Sequence, residues 1–361
     1  MNDKANAQPG GRKHQRVRQA DVARAAGVSQ AAVSLVLSGS PDLSIGASTR
    51  QAILDAARDL GYVPDPIARR LATGRNNLLG LHTFAPEFPV SLSNSYYPYL
   101  EGVEVEAAAQ GYDLLLFTGA PNTASRETAV HRLRLADGCV LVGRHPPIDD
   151  VRALLESGFP LVYIGRHDDL GEELSYIGAD YSRATAALTD RLHDLGHRNF
   201  VYVQEVDTAV ASTDREDGFE ESMRRHSSDA VGTAPRLAAE QITPALVKGW
   251  IDDGCTAIIV EGGTETVDSP ASLDTLTHVL GELGLEYPRD ISLATTGSEF
   301  TQRSGSVVFA GFDVPRREMG RQAVQLLIDL LRGKELSVAE RQRLLECAPV
   351  DGNTSGPARR A

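Results

Sequence analysis

Apolar positions recur along the chain with two different periods, and the change falls near residue 77. Between residues 17 and 60 they follow helical spacing, every three or four residues. Val22, Ala23 and Ala26 share one face of a helix expected over about 19–26, which Gly27 stops. Ser29 is a natural N-cap for a second helix reaching Leu37, with Val33, Val36 and Leu37 turned inward. Ser38-Gly39-Ser40-Pro41 breaks that helix. A third is expected over 47–60, with Ile53, Leu54, Ala57 and Leu60 at helical spacing and Gly61 beyond its end. Further on, Asp65 can cap and Pro66 can fill the first helical position of a two-turn helix that ends before Gly74. Two turns are marginal alone because nucleation is costly. Such a segment should fold only when braced, which suits a coupling element.

From Leu78 onward the pattern becomes strand-length apolar runs alternating with helices. Strands are expected at about 78–84, 112–118, 138–142, 161–164, 200–204, 257–260 and 291–295. Helices are expected between them at about 100–109, 151–157, 182–195 and 272–283. Continuous apolar strands with intervening helices imply parallel sheets covered on both faces. This many units predict two doubly wound subdomains, whose ligands bind beyond the strand carboxyl ends. A last helix, about 317–331, is followed by a polar tail.

Charge changes the picture more than composition does. The 361 residues carry a net charge of −13, which by itself argues against nucleic acid. Residues 1–77, however, hold 11 Lys or Arg against 6 Asp or Glu, a charge of +5, and so leave −18 for the rest. A basic head on an acidic body is expected when only the head meets phosphates. No apolar run reaches 18 residues, and the basic N-terminus has no apolar stretch behind it, so neither a membrane span nor a secretory signal is expected. Cys139, Cys255 and Cys347 have no metal spacing; they read as small buried hydrophobes in a reducing, cytoplasmic compartment. His193 and His197 could face one way, but Gly196 ends their helix and no third ligand is evident, so no metal is expected. Gly262-Gly263-Thr264 lacks the Lys-Ser/Thr ending of a phosphate loop. No nucleophile with a paired base stands out, so no catalytic residues, cofactor or enzyme activity are expected.

The segment from Asp21 to Ser34 is specific. A helix-turn-helix needs a small residue where the helices meet, a Gly at the turn and a capped second helix. Ala23, Gly27 and Ser29 meet those needs in order. With Val33-Ser34-Leu35-Val36-Leu37-Ser38-Gly39, Thr49-Arg50 and Leu60-Gly61-Tyr62-Val63-Pro64, residues 17–74 resemble the LacI (lactose repressor) family of transcriptional regulators. Ala68-Arg69-Arg70-Leu71 resembles that family's hinge helix. Leu195-Gly196-His197-Arg198 and Glu318-Met319-Gly320 extend the likeness into the body.

The resemblance implies an all-α helix-turn-helix head plus an α/β, periplasmic-binding-protein-like domain of two doubly wound parallel-sheet subdomains. It divides the chain into a disordered basic tail (1–16), the DNA-binding head (17–62), a hinge helix and linker (63–76), a two-lobed sensing and dimerisation domain (77–350) and a disordered tail (351–361). It implies that Gln30, Ala31, Ala32 and Leu35 lie near base edges of the major groove, with Ser29, Ser34, Thr49 and Arg50 on phosphates. Leu71, with Ala68 beside it, would wedge into the minor groove at the operator centre. The family usually has Thr-Val-Ser-Arg where this chain has Ala32-Val33-Ser34-Leu35, so an arginine that reads guanine is missing. The operator half-sites should therefore differ from the common family consensus.

For the effector, the resemblance points to Tyr96, with Tyr97 beside it, as an aromatic platform, and to Asp180 and Arg215; Arg144, which follows an apolar strand, is a further cleft candidate. The tyrosines, Asp180 and Arg215 each have a plainer alternative. The tyrosines could form a lobe surface or dimer contact, Asp180 a helix cap, and Arg215 a structural ion pair. Two positions depart from the family: Glu261-Gly262-Gly263 stands for its Asn-Asp, and Gly297 for an Asp that holds ligand hydroxyls. Glu261 or Glu299 could supply the missing carboxylate. The expected partners are a near-palindromic double-stranded DNA operator, a sugar-like effector and a second copy of the chain. Control by a protein partner, or by no effector, remains open. A solute-binding protein shares the two-lobed architecture, but the basic head and the absent signal argue against it.

Overall fold

Gly27 adopts φ 65°, a left-handed conformation that glycine takes without steric cost, and the chain turns there. The helices on either side, α1 (Gln19–Ala26) and α2 (Gln30–Leu37), bend by 106° to each other. Ser29 Oγ accepts from Ala32 N at 3.2 Å and caps the second helix. A third helix, α3 (Ala47–Asp59), closes a small core of Val22, Ala23, Val33, Val36, Ile53 and Ala57. Leu54 and Leu60, expected inward, are each 39% exposed. Leu54 lies one helical step round from Ile53, and Leu60 lies past the end of the helix.

This computed structural model describes residues 17–37, 45–63, 76–84, 96–117, 132–262, 272–297 and 307–359, and it divides into two units, 1–76 and 77–361. The expected hinge helix therefore lies outside the described residues.

The second unit opens with β1 (Leu78–Thr83), α4 (Tyr97–Ala109), β2 (Asp113–Phe117), β3 (Gly138–Val142), α5 (Ile148–Glu156), β4 (Leu161–Ile164) and β5 (Tyr176–Ala179). It continues through α6 (Tyr181–Asp194), β6 (Asn199–Val203), α7 (Val210–Arg225), β7 (Val231–Thr233), α8 (Pro244–Asp252), β8 (Ala257–Val260), α9 (Ser272–Glu282), β9 (Ser292–Thr295) and β10 (Ala310–Asp313). It ends with α10 (Arg316–Leu331), α11 (Val338–Arg341), β11 (Gln342–Leu345) and β12 (Ala348–Val350). Two six-stranded sheets result, ordered β11-β5-β4-β3-β1-β2 and β12-β10-β9-β8-β6-β7. All neighbours are parallel except β10 and β12. The apolar runs behave as such sheets require: β3, β4 and β8 are buried throughout.

The chain passes between the lobes at three places: from β5 into α6, from β10 into α10, and from β11 to β12. On its return to the first lobe, α10 lies so close to α4 that a Cβ on Gly320 would meet Tyr99 O at 2.3 Å.

The tail beyond residue 350 corrects the expectation of disorder as far as residue 359. Thr354 is fully buried; its hydroxyl donates to Leu293 O at 2.6 Å and accepts from Ala310 N at 2.9 Å. Leu293 N donates to Thr354 O, and Ala358 N to Leu195 O, each at 2.9 Å. Backbone pairing orders a segment whose composition is polar.

Candidate nucleic-acid interface and effector cleft

The start of α2 presents Ser29, Gln30 and Ala31 to solvent, while Ala32, Ser34 and Leu35 are half-buried. Thr49 and Arg50, in the first turn of α3, are half-buried as well. Ser29 Oγ is used as an acceptor by the cap, which leaves its hydroxyl hydrogen for an outside acceptor such as a phosphate oxygen. Ala68 and Leu71 lie outside the described residues.

In the second unit, strand order reverses between β1 and β3 in one sheet and between β6 and β8 in the other. At such switch points the loops diverge and leave a crevice at the strand carboxyl ends. Arg144 follows β3 and Glu205 follows β6, so the two lobes present opposite charges at these points. Arg144 Nε lies 2.7 Å from Asp207 Oδ2, and Nη1 lies 3.5 Å from Glu205 Oε2. His145 Nε2 is 2.7 Å from Asp207 Oδ1. Arg166, after β4, donates to Asp168 and, across the cleft, to Asp214 on α7. The cleft between encloses about 800 Å³, including the part open to solvent.

Burial works against Asp207, Glu205 and Asp214, with different outcomes. It would raise Asp207, but the His145 hydrogen bond and the Arg144 charge hold that carboxyl below its ordinary value. For Glu205 and Asp214 burial prevails over the neighbouring arginine and pushes both up. His167, on the cleft wall, is pushed down by burial against the pull of Asp169 and Asp168.

Of the residues expected to meet an effector, Tyr96, Arg144 and Arg215 line this cleft. Tyr96 precedes α4, its ring 6.1 Å from that of Tyr99. Asp180 is not on the wall: it caps α6, accepting from Arg183 N at 3.1 Å, and so takes its plainer alternative. Arg215 is 4% exposed, with its guanidinium 3.9 Å over the Tyr181 ring. It donates to Thr296 O at 3.2 Å and Ala211 O at 2.8 Å, and Nη1 lies 3.7 Å from Glu261. Glu261 sits behind the wall, accepting from Ser212 Oγ at 2.8 Å and Glu205 N at 3.2 Å. Gly262 and Gly297 bring bare backbones together, so that a Cβ on Gly262 would lie 3.2 Å from Gly297 Cα. Glu299 lies outside the described residues.

Sequence reasoning missed Arg166, Asp214, Arg316 and His167 on the same wall. A signal was present: Gly143-Arg144-His145 recurs as Gly165-Arg166-His167, each after an apolar strand. His193 and His197 do not converge. His197 is buried between Thr256 Oγ1 (2.9 Å) and Gly356 O (3.0 Å), whereas His193 stacks on His226 at 3.7 Å. Nearby Asp229 and Asp190 are held by Arg198 and Arg225. The three cysteines are buried, and burial pushes Cys255 and Cys347 up to about 12.

Residues 20–65 match the bacterial regulatory proteins of the lacI family. Residues 90–231 match the periplasmic binding proteins and sugar binding domain of the LacI family, and residues 189–355 a periplasmic binding protein-like domain. An uncharacterized HTH-type transcriptional regulator from the aml 5′ region of Streptomyces limosus is 31% identical over 294 residues, covering 76% of this chain and 77% of its own. The fold is shared with a solved complex of the transcriptional regulator CelR with cellobiose (TM-score 0.62, 22% identity, 94% of this chain and 100% of the other). It is shared too with the lac repressor dimer bound to operator and the anti-inducer ONPF (TM-score 0.71, 19% identity, 95% and 100%). The capped, bent helix pair and the two-lobed body define a DNA-binding transcriptional regulator with a ligand-binding domain. The chain belongs to the lacI family of bacterial regulatory proteins.

Proposed function

We propose that this protein is a cytoplasmic, homodimeric repressor that binds a near-palindromic operator and responds to a small, sugar-like metabolite between its lobes. The observation that carries the reading is the joining, in one chain, of a capped helix pair exposing Ser29, Gln30 and Ala31 with two sheets whose switch points face one cleft. A two-fold dimer matches a two-fold site, and the lac repressor is a dimer on its operator. CelR was solved with cellobiose, which supports a sugar-like effector here. Gln30 reads adenine, Ala31, Ala32 and Leu35 meet apolar base edges, and Ser29, Ser34, Thr49 and Arg50 hold phosphates. Leu71, beside Ala68, kinks the operator centre. Tyr96, Arg144 and Arg215 belong to the effector wall.

Selection of bound sequences from a random DNA pool, at stated salt, tests the DNA reading. A palindrome is expected, with half-sites that lack the guanine an arginine at position 35 would read. A folded dimer that enriches no site, or one that returns the common family consensus, would count against it. The bare backbones of Gly262 and Gly297 favour a second reading, control without a small molecule. Calorimetry against a metabolite panel separates the two.

A further inference from the structure

The cleft wall gathers guanidiniums, with carboxylates facing them. Among the described residues that line it stand Arg144, Arg166, Arg215 and Arg316, against the carboxylate of Asp214. Two of these guanidiniums form a pair fixed by the sheet. β3 and β4 are neighbours in the register Val142↔Ile164, and each runs on into Gly-Arg-His. Equivalent positions on adjacent strands are ~4.8 Å apart. Arg144 and Arg166 therefore leave the carboxyl edge of the first lobe side by side, where such sheets receive ligands.

Both are held by carboxylates of the other lobe, Arg144 by Asp207 and Glu205 and Arg166 by Asp214, and Arg166 also by Asp168 of its own. These occupy the places an incoming anion would take. Their hold is imperfect, because the 2.7 Å contact of Arg144 Nε with Asp207 lacks hydrogen-bond alignment, and burial pushes Glu205 and Asp214 up. Among the described residues at the carboxyl ends of β8 and β9, Gly262 and Gly297 bring bare backbones together, and Glu261 is turned behind the wall.

We propose that the effector carries an anionic group, carboxylate or phosphate, which Arg144 and Arg166 take between them in place of Asp207 and Asp214. A planar guanidinium matches either group through paired hydrogen bonds. The proposal rests on the effector reading above and names its chemical class: a sugar acid or sugar phosphate rather than a neutral sugar. Binding removes two ties between the lobes, so the anion changes their equilibrium in the act of being held.

The test uses the full chain at fixed ionic strength. Inorganic phosphate should raise the unfolding temperature above that in chloride. Titration calorimetry should show gluconate or glucose 6-phosphate binding at least about 10-fold more tightly than glucose, as expected for charge-assisted hydrogen bonds. Which of the two binds distinguishes carboxylate from phosphate. Arg144→Lys and Arg166→Lys keep the charge, lose the fork, and should each weaken the charged probe by about 10-fold. Asp207→Asn removes a competitor and should tighten it, which a merely structural role would not do. An identical phosphate effect in parent and Arg144→Lys protein, or glucose binding as tightly as its charged counterparts, overturns the proposal. Charged probes that bind through Arg144 yet leave operator occupancy unchanged would keep the anion site but overturn its role as an effector site. Neutral sugars that bind and shift operator occupancy would do the reverse.

Discussion

Arg215 is almost fully buried at the cleft wall, and four groups answer its charge: the Tyr181 face, Thr296 O, Ala211 O and Glu261. Removing it strands Glu261, whose Oε1 already lacks a hydrogen bond. Arg215→Met should therefore destabilise the protein by about 3–5 kcal/mol, measured by urea unfolding; a loss below about 1 kcal/mol would mean that the charge is dispensable. The pH dependence of Asp207 follows from its depressed value. A carboxyl held lower in the folded than in the unfolded chain stabilises the fold above its unfolded value of 3.8, and loses that contribution as pH falls through the lower folded value. Asp207→Asn should thus be less stable than the parent at pH 7, and the gap should close on acidification below about pH 4; a gap independent of pH would assign the effect to packing. At this scale the sequence was legible where local chemistry decides, as at Ser29 and Gly27. It was not where register decides. Arg166 reaches the cleft only because Ile164 sits opposite Val142, and Asp180 leaves it because a helix start claims its carboxylate.

Among the elements, α4 and α10 show what close approach demands. Gly102 would place a Cβ 2.0 Å from Arg317 O, just as Gly320 would against Tyr99 O, so both helices give up side chains at their crossing. Gly320→Ala should force them apart and cost about 1–3 kcal/mol, read from denaturant unfolding; helix propensity alone predicts the opposite sign. α4, α6, α9 and α10 and the fully apolar strands were readable from periodicity; α7, as long as any, was not, because most of its buried positions are polar. β7, β11 and β12 were not, because their residues are exposed or half-buried and form no continuous apolar run. The tail failed for another reason. Asn353 and Thr354 are ordered by hydrogen bonds with Val308, Ala310 and Leu293 rather than by apolar burial, and hydropathy is blind to that. Deleting residues 351–361 should therefore lower the unfolding temperature measurably; an unchanged value would return the segment to the status of a loose end.

Across the whole molecule, the division between a basic head and an acidic body was legible in charge alone, and the class of fold in the alternation of strands and helices. The passage of chain between lobes was not, because no local property marks the residue at which a strand leaves one sheet for the other. That connectivity has a genetic consequence. The first sheet draws on residues 78–179 and again on 342–345, the second on 199–313 and again on 348–350. Neither lobe is a continuous stretch of gene. A single recombination with a relative, wherever it falls within the body, therefore cannot exchange one sensing half intact; it yields a lobe built from two parents. New specificities in such a body arise more readily by substitution at the strand ends than by shuffling of halves, and any designed chimera must match its parents at all three junctions together.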